Sequence, residues 1–166
     1  SAHKQMLLLE QGALANPDEG RMVGHYWLRT PELSPSDAVR IEISSTVEEV
    51  KSFCSQILNA KITSQTGKKF SQVLFIGIGG SALGPQLLVD SLATVNSQIK
   101  FAFFDNTDAD GFERVFANIK DVIDRTLVVV VSKSGGTTET RNGMLETKAF
   151  FERNSLSFEK HAIAIS

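Results

Sequence analysis

Runs of consecutive apolar residues alternate with helix-like stripes along most of the chain. The runs are shorter than typical helices and lack the polar alternation of a half-exposed strand, so they predict strands buried on both faces. Helical spacing separates the runs, which predicts an α/β fold with a doubly wound parallel sheet and helices on both faces. The predicted strands are 73–78, 101–104, 127–131 and 162–165.

Four stretches show apolar residues at helical spacing. The first follows Ser45, where Ser45 with Glu48 and Thr46 with Glu49 both have the spacing of a capping box. Cys54 lies on its apolar stripe, which predicts a buried, unreactive thiol. The stripes of the later helices are Leu83, Leu87, Leu88 and Leu92, then Phe112, Val115, Phe116 and Ile119, then Met144, Leu145, Ala149 and Phe151.

The first 45 residues have a different composition. They hold three of the four prolines, and they predict short elements joined by turns, with a brief helix over 4–11. The aromatic cluster at 26–28 is typical of an arm that packs onto a core. We therefore expect an N-terminal arm over 1–45 and a folded domain over 46–166. A start at Ser1 and an end directly after the last predicted strand suggest a piece of a longer, two-domain protein.

Charge and residue counts exclude several classes of function. The formal net charge is -2, so no basic field is available to bind nucleic acid or an anionic membrane. The apolar runs are too short to cross a bilayer. A single cysteine excludes a disulfide framework, and the three histidines are scattered without metal-ligand spacing, so we expect no metal site. An intracellular location is the default.

The loop after the third predicted strand has the chemistry of an anion site. It reads Ser-Lys-Ser-Gly-Gly-Thr-Thr-Glu-Thr over 132–140. Glycines allow a tight turn, and the N–H groups at the start of the next helix favour an anion. Hydroxyl donors and the mobile charge of Lys133 suit a phosphate monoester. The alternative is that the hydroxyls only cap the helix, for which one would suffice. Glu139, in the first helical turn, supports the helix dipole or contacts the ligand, and Arg141 faces either the site or solvent.

The loop after the first predicted strand allows two interpretations. Gly77, Gly79 and Ala82 fit the dinucleotide fingerprint G-x-G-x-x-G/A, and Asp105 ends the second strand where a ribose-binding acid is expected. Asp105 could instead cap the following turn. A Walker A motif is excluded, because Pro85 and Gln86 follow Gly84 where lysine and a hydroxyl residue are required.

Together the two loops resemble the glucose-6-phosphate isomerase family. The resemblance rests on Ile76–Pro85 followed by Ser132–Thr140, and on Gly24–Arg29, which is similar to the arm of the family's bacterial and plastid-type branch. It implies the first of two sugar-isomerase (SIS) domains. The residues that it implies for phosphate binding are Gly80, Ser81, Ser132, Lys133, Ser134, Gly135, Gly136 and Thr137, with Thr138 and Glu139 in support.

The resemblance also implies a reaction. Members interconvert glucose 6-phosphate and fructose 6-phosphate, an aldose–ketose isomerisation of glycolysis and gluconeogenesis that passes through a cis-enediol. No cofactor is required. The catalytic residues are expected beyond residue 166, so this piece alone is expected to be inactive. The full-length protein is expected to be a homodimer in the cytoplasm or the plastid stroma.

Three functions therefore stay open. The first is the isomerase just described, to which this chain contributes a phosphate site. The second is a non-catalytic SIS module that binds phosphosugars. The third is a nicotinamide-binding oxidoreductase, in which the first loop holds the pyrophosphate of NAD and Asp105 holds the ribose.

Overall fold

The computed structural model describes residues 1–166, which form two compact units, Ser1–Ser55 and Gln56–Ser166. The helices are α1 (Ala2–Glu10), α2 (Asp37–Leu58), α3 (Leu83–Leu92), α4 (Ala109–Ile119) and α5 (Thr138–Arg153). The strands are β1 (Leu14–Asn16), β2 (Arg21–Met22), β3 (Gln72–Ile76), β4 (Lys100–Phe104), β5 (Thr126–Val131) and β6 (Ala162–Ile165). None of the helices has the length and apolar character needed to cross a membrane.

Trp27 organises the N-terminal unit. Its side chain is buried, and its indole Nε1 donates a hydrogen bond to the backbone oxygen of Glu10, 3.0 Å away at the end of α1. Gly24 leaves room for the ring, since a Cβ there would lie 2.4 Å from an indole carbon. The neighbouring Leu28 is exposed, so within the predicted aromatic cluster it is Trp27 that carries the packing.

The predicted start of α2 is wrong. The helix begins at Asp37, well before the capping boxes expected at Ser45 and Thr46. The Ser36 hydroxyl accepts a hydrogen bond from the Val39 N–H, the contact of an N-cap residue. Ser45 lies inside the helix, where its hydroxyl donates to the backbone oxygen of Glu42.

Cys54 is exposed, contrary to the prediction of a buried thiol. The physical reason is that most of the apolar stripe to which it belongs is exposed. Val47 and Val50, on the same stripe, are also exposed, and Ile57 is the buried residue of α2. Helical spacing placed Cys54 correctly on the apolar face of α2, but the spacing does not establish that this face is covered.

The C-terminal unit contains a four-stranded parallel sheet in the order β4-β3-β5-β6. The connection from β3 to β4 runs in one direction across the sheet, and those from β4 to β5 and from β5 to β6 run in the other. Because such crossovers are right-handed, α3 covers one face, and α4 with α5 covers the opposite face. The predicted doubly wound α/β fold is confirmed.

The main core lies between the sheet and the pair α4 and α5. Aromatic rings dominate it, and Phe104 of β4 contacts both Phe112 and Phe116 of α4, with ring centroids 4.4 and 5.2 Å apart. Phe116 in turn stacks on Phe150 of α5. The buried residues of this core are Leu74, Ile76, Phe104, Phe112, Phe116, Ile119, Ile123, Val128, Phe151 and Leu156.

The buried face of α5 differs from the predicted stripe. Leu145 is 44% exposed, and the buried residues of α5 are instead Thr140, Gly143, Thr147 and Phe151. A Cβ at Gly143 would lie 3.0 Å from Cγ2 of Ile76, so glycine lets the helix approach β3 closely. The Thr147 hydroxyl donates to the Gly143 oxygen, which satisfies the buried polar atom within the helix. Small residues, which an apolar count overlooks, form this contact.

The leucine stripe of α3 also differs from expectation. The helix forms where predicted, but Leu83, Leu87, Leu88 and Leu92 are 60–74% exposed. The sheet face opposite the main core is correspondingly less covered, and Phe101 at its edge is 42% exposed. Helical spacing therefore predicted the element but not the burial of its apolar side chains.

His161 has a packing role in the core. The imidazole is fully buried and contacts the rings of Phe70 and Phe151. Its Nε2 accepts the backbone N–H of Gln65 at 3.3 Å, so Nδ1 carries the proton and donates to the Thr126 oxygen at 2.9 Å. The side chain thus links the segment before β3 with the start of β5.

An ion pair joins the segments that precede β3 and β5. The Lys68 ammonium contacts the Asp124 carboxylate, and this hydrogen bond, with the charge of Lys68, holds the pKa of Asp124 below its ordinary value. A lowered carboxyl pKa contributes stability that is complete above the ordinary pKa of about 4 and is lost as the pH falls through the lowered value.

Asp124→Asn should lower the free energy of unfolding at pH 7 by about 0.5–1 kcal/mol, since the pair is partly exposed. The difference from wild type should shrink as the pH falls below the ordinary carboxyl pKa and through the lowered pKa of Asp124. Urea denaturation at several pH values measures both effects. Asp121→Asn, in the same turn and exposed, is the matched control. A pH-independent difference between Asp124→Asn and wild type would contradict this assignment.

Candidate phosphate-binding site

Two glycine-rich loops leave the same edge of the sheet side by side. β3 and β5 are neighbours, with Ile76 opposite Val130, so the segments 77–82 and 132–137 begin almost level with each other. The chain turns toward β4 after β3 and toward β6 after β5, which opens a crevice between the loops at the topological switch point. Adjacent strands lie about 4.8 Å apart, so one phosphate group can reach both loops.

The second loop is a tight turn at the end of β5. The N–H of Ser132 donates to the Ile165 oxygen at 3.0 Å, and the Ser132 oxygen accepts the Gly135 N–H at 3.2 Å. Gly135 has a φ of +68°, a left-handed conformation that costs other residues energy. The Ser134 hydroxyl accepts the Gly136 N–H at 3.2 Å. The turn therefore has a defined shape before any ligand binds.

A pair of hydroxyls spans this loop. The oxygens of Ser132 and Thr137 lie 3.1 Å apart, so one hydroxyl donates to the other. Two hydroxyls carry two protons, and the second proton is available to an anion. Thr137 precedes α5, but its side chain makes no hydrogen bond that caps the helix. The interpretation of these hydroxyls as caps fails at Thr137, whereas Ser134 does bond to the local backbone.

The first loop is a single 3-10 turn, Gly79–Ser81, at the end of β3. Gly79 has a φ of +54°. A Cβ at Gly77 would lie 3.1 Å from both the Cβ and the backbone oxygen of Ser81, so glycine lets Ser81 fold back against the strand end. No heavy atom lies within 4 Å of where a Cβ on Gly80 would be, so this side of the turn is open.

The remaining predicted residues lie on or beside the second loop. Lys133 is exposed between Ser132 and Ser134, and Thr138 and Glu139 are exposed in the first turn of α5. The structure thus brings all the predicted phosphate-binding residues to one edge of the sheet. Their individual roles stay predictions.

Asp105 accepts side-chain amides rather than the backbone N–H groups of the turn that follows it. Its two carboxylate oxygens accept side-chain amides, one from Gln86 at 2.9 Å and one from Asn106 at 2.8 Å. The N-cap of α4 is Asp108, whose carboxylate accepts the Gly111 N–H at 2.8 Å. The dinucleotide interpretation requires Asp105 to accept ribose hydroxyls. In the structure each of its oxygens accepts one side-chain amide and keeps a second lone pair.

The sequence did not single out Thr140. Its hydroxyl, in the first turn of α5, is buried without a hydrogen-bond partner. Such a group costs about 1–3 kcal/mol, and functional sites are among the places where proteins tolerate this cost. The only signal was its position three residues after Thr137, which makes the two residues neighbours along one side of the helix.

Other parts of the surface do not compete for the same residues. A groove of about 470 Å³ lies between α4 and α5, where Phe112, Asn142 and Arg153 contribute to its walls, and none of the predicted phosphate-binding residues lines it. No group of three or more His, Cys, Asp and Glu side chains is close enough together to hold a metal ion.

Comparison with known proteins shows the family to which the chain belongs. A family model described as phosphoglucose isomerase matches residues 2–166. The chain belongs to the phosphoglucose isomerase family. The family predicted from the paired loops is thereby confirmed.

Individual relatives belong to the same family. The chain is 54% identical over 165 residues to the glucose-6-phosphate isomerase of Thermosynechococcus vestitus and 52% identical to that of Geobacter sp. strain M21, covering 99% of this chain and 31% of each relative. The chain therefore spans about a third of the length of these relatives.

Solved structures support the fold. The crystal structure of a glucose-6-phosphate isomerase from Chlamydia trachomatis has a TM-score of 0.78 at 28% identity, over 97% of this chain and 31% of that one. A hypothetical protein from Thermus thermophilus has a TM-score of 0.52 at 24% identity, over 99% of this chain and 39% of that one. The second likeness bears on the fold alone.

Gly135→Ala should lower the free energy of unfolding by about 1–2 kcal/mol, because alanine disfavours the left-handed φ. Gly136→Ala is the matched control in the same loop. Its φ is not left-handed, and its Cβ would meet Ser134 Oγ at an ordinary 3.8 Å. Chemical denaturation of both variants measures the difference. Equal losses for the two variants would show that the turn does not depend on the Gly135 conformation.

Proposed function

We propose that this chain supplies the phosphate-binding part of a glucose-6-phosphate isomerase. The full-length protein would interconvert glucose 6-phosphate and fructose 6-phosphate. The observation that carries the proposal is the meeting of the two loops at the switch point of the sheet, in a chain that belongs to the phosphoglucose isomerase family. We further propose that residues 1–45 act as an arm and that residues 46–166 form the first sugar-isomerase domain.

The loops suit the phosphate rather than the reacting carbons. They offer backbone N–H groups, the hydroxyls of Ser81, Ser132 and Thr137, and the ammonium of Lys133. These groups donate hydrogen bonds to a dianion, and their binding energy holds the sugar for reaction at C1 and C2. The isomerisation moves a proton between these carbons through a cis-enediol. We propose that a carboxylate outside these 166 residues transfers it, within a homodimer.

The length of the relatives supports the isomerase over a free-standing phosphosugar-binding module. The chain covers 31% of the curated isomerases that it resembles, so those proteins are about three times longer. A nicotinamide site would use Asp105, which in the structure binds two side-chain amides. Titration of the chain with NAD and with fructose 6-phosphate separates phosphosugar binding from nicotinamide binding. Saturable binding of NAD that disappears in Asp105→Ala would overturn the proposal.

Lys133→Ala should weaken the binding of fructose 6-phosphate by about 1–3 kcal/mol, the range of a charge-assisted hydrogen bond. Calorimetric titration of the chain measures this loss. Lys120→Ala, which removes a charge at the far end of α4, is the control and should bind like wild type. An affinity that Lys133→Ala leaves unchanged would contradict the role assigned to the second loop.

Ser81→Ala should cost less, about 0.5–1.5 kcal/mol, because it removes a neutral hydroxyl donor. The same titration measures it. A loss larger than that of Lys133→Ala would make the first loop the main anchor of the phosphate.

A further inference from the structure

The pair Gln86 and Asp105 has no part in the chemistry proposed so far. Asp105 directly follows β4, and Gln86 lies in the first half of α3. The Gln86 amide nitrogen donates to Asp105 Oδ2 at 2.9 Å, and both side chains are partly buried. The bond lies next to the loop that carries Gly80 and Ser81.

Two hydrogen bonds fasten the first loop to the end of β4. At one end of the loop, the N–H of Gly77 donates to the Phe104 oxygen at 3.0 Å. At the other end, the Gln86 side chain donates to Asp105. Phe104 and Asp105 are consecutive, so both ends of the segment from Gly77 to Gln86 are bonded to the same place, the end of β4.

Further hydrogen bonds hold both residues of the Gln86–Asp105 pair in place. The second carboxylate oxygen of Asp105 accepts the Asn106 amide, and Asn106 Oδ1 accepts the Asp108 N–H at 2.9 Å, which fixes the carboxylate. On the other side, the Gln86 N–H donates to the oxygen of Ala82, a buried residue next to Ser81. A short series of hydrogen bonds and covalent bonds therefore connects the Asp105 carboxylate to Ser81.

We propose that Asp105 and Gln86 are positioning residues of the phosphate site. Asp105 and Gln86 hold Gly80 and Ser81 level with the second loop, so that both loops contact one phosphate. The side chains of Asp105 and Gln86 do not touch the ligand. This inference rests on the proposed function. Without the bond, the end of the loop that enters α3 loses its side-chain link to β4, and ligand binding has to order it, which lowers affinity.

Two variants separate the loss of the bond from a change of the residues that form it. Gln86→Met removes the bond and leaves the Asp105 carboxylate in place. The double variant Gln86→Glu with Asp105→Asn keeps the net charge and reverses donor and acceptor, and the side-chain oxygen of the new amide can still accept from Asn106. Calorimetric titration with fructose 6-phosphate should show about three- to tenfold weaker binding for Gln86→Met and binding within about twofold of wild type for the double variant.

Thermal unfolding of the same samples separates positioning from stability. The inference would be overturned if Gln86→Met unfolds at a lower temperature but binds fructose 6-phosphate like wild type. It would also be overturned if the double variant binds fructose 6-phosphate as weakly as Gln86→Met does. Gln86→Asn, which is one methylene shorter, replaces Gln86→Met if that variant does not fold. If the wild-type chain shows no saturable binding of fructose 6-phosphate, the proposed function is overturned, and this inference with it. If the wild-type chain binds and the variants bind equally well, this inference alone is overturned.

Discussion

The parallel pairing of β3 with β5 is the constraint on which the site depends. Ile76 lies opposite Val130, and the connections diverge from these two strands toward opposite edges of the sheet. The backbone hydrogen bonds of the pair set the loop starts level with each other. A shift of two residues would move one loop about 7 Å along the strands, beyond the reach of a shared phosphate. The buried strand residues that hold this pairing therefore act on the site without contacting it.

Charge alone cannot hold a dianion at this edge of the sheet. Lys133 and Arg141 are outnumbered there by Asp105, Asp108 and Glu139, and the whole chain has a formal net charge of -2. In the proposed site, affinity therefore comes from directed donors, the loop N–H groups and hydroxyls, held in position by the fold. This explains the importance of features that touch no ligand, such as the left-handed Gly135 and the space that Gly77 leaves for Ser81.

The sequence predicted the elements better than it predicted their environments. Continuous apolar runs identified the strands, because strands buried on both faces need no polar alternation. The buried face of α5 was missed, since Gly143 and Thr147 make the close contact and an apolar count ignores them. Helical spacing likewise did not show that the stripe of Cys54 is exposed. The paired loops were identifiable because glycines and hydroxyls lie together, whereas the bond between Gln86 and Asp105 joins residues distant in sequence and left no local pattern.

The crystal structure of the chain with fructose 6-phosphate tests the central claim most directly. The account predicts the phosphate in the crevice between the loops, with its oxygens at hydrogen-bond distance, about 2.7–3.2 Å, from donors in both 79–82 and 132–137. A phosphate held away from the second loop, with the hydroxyls of Ser132 and Thr137 bonded only to each other or to neighbouring peptide groups, would contradict it.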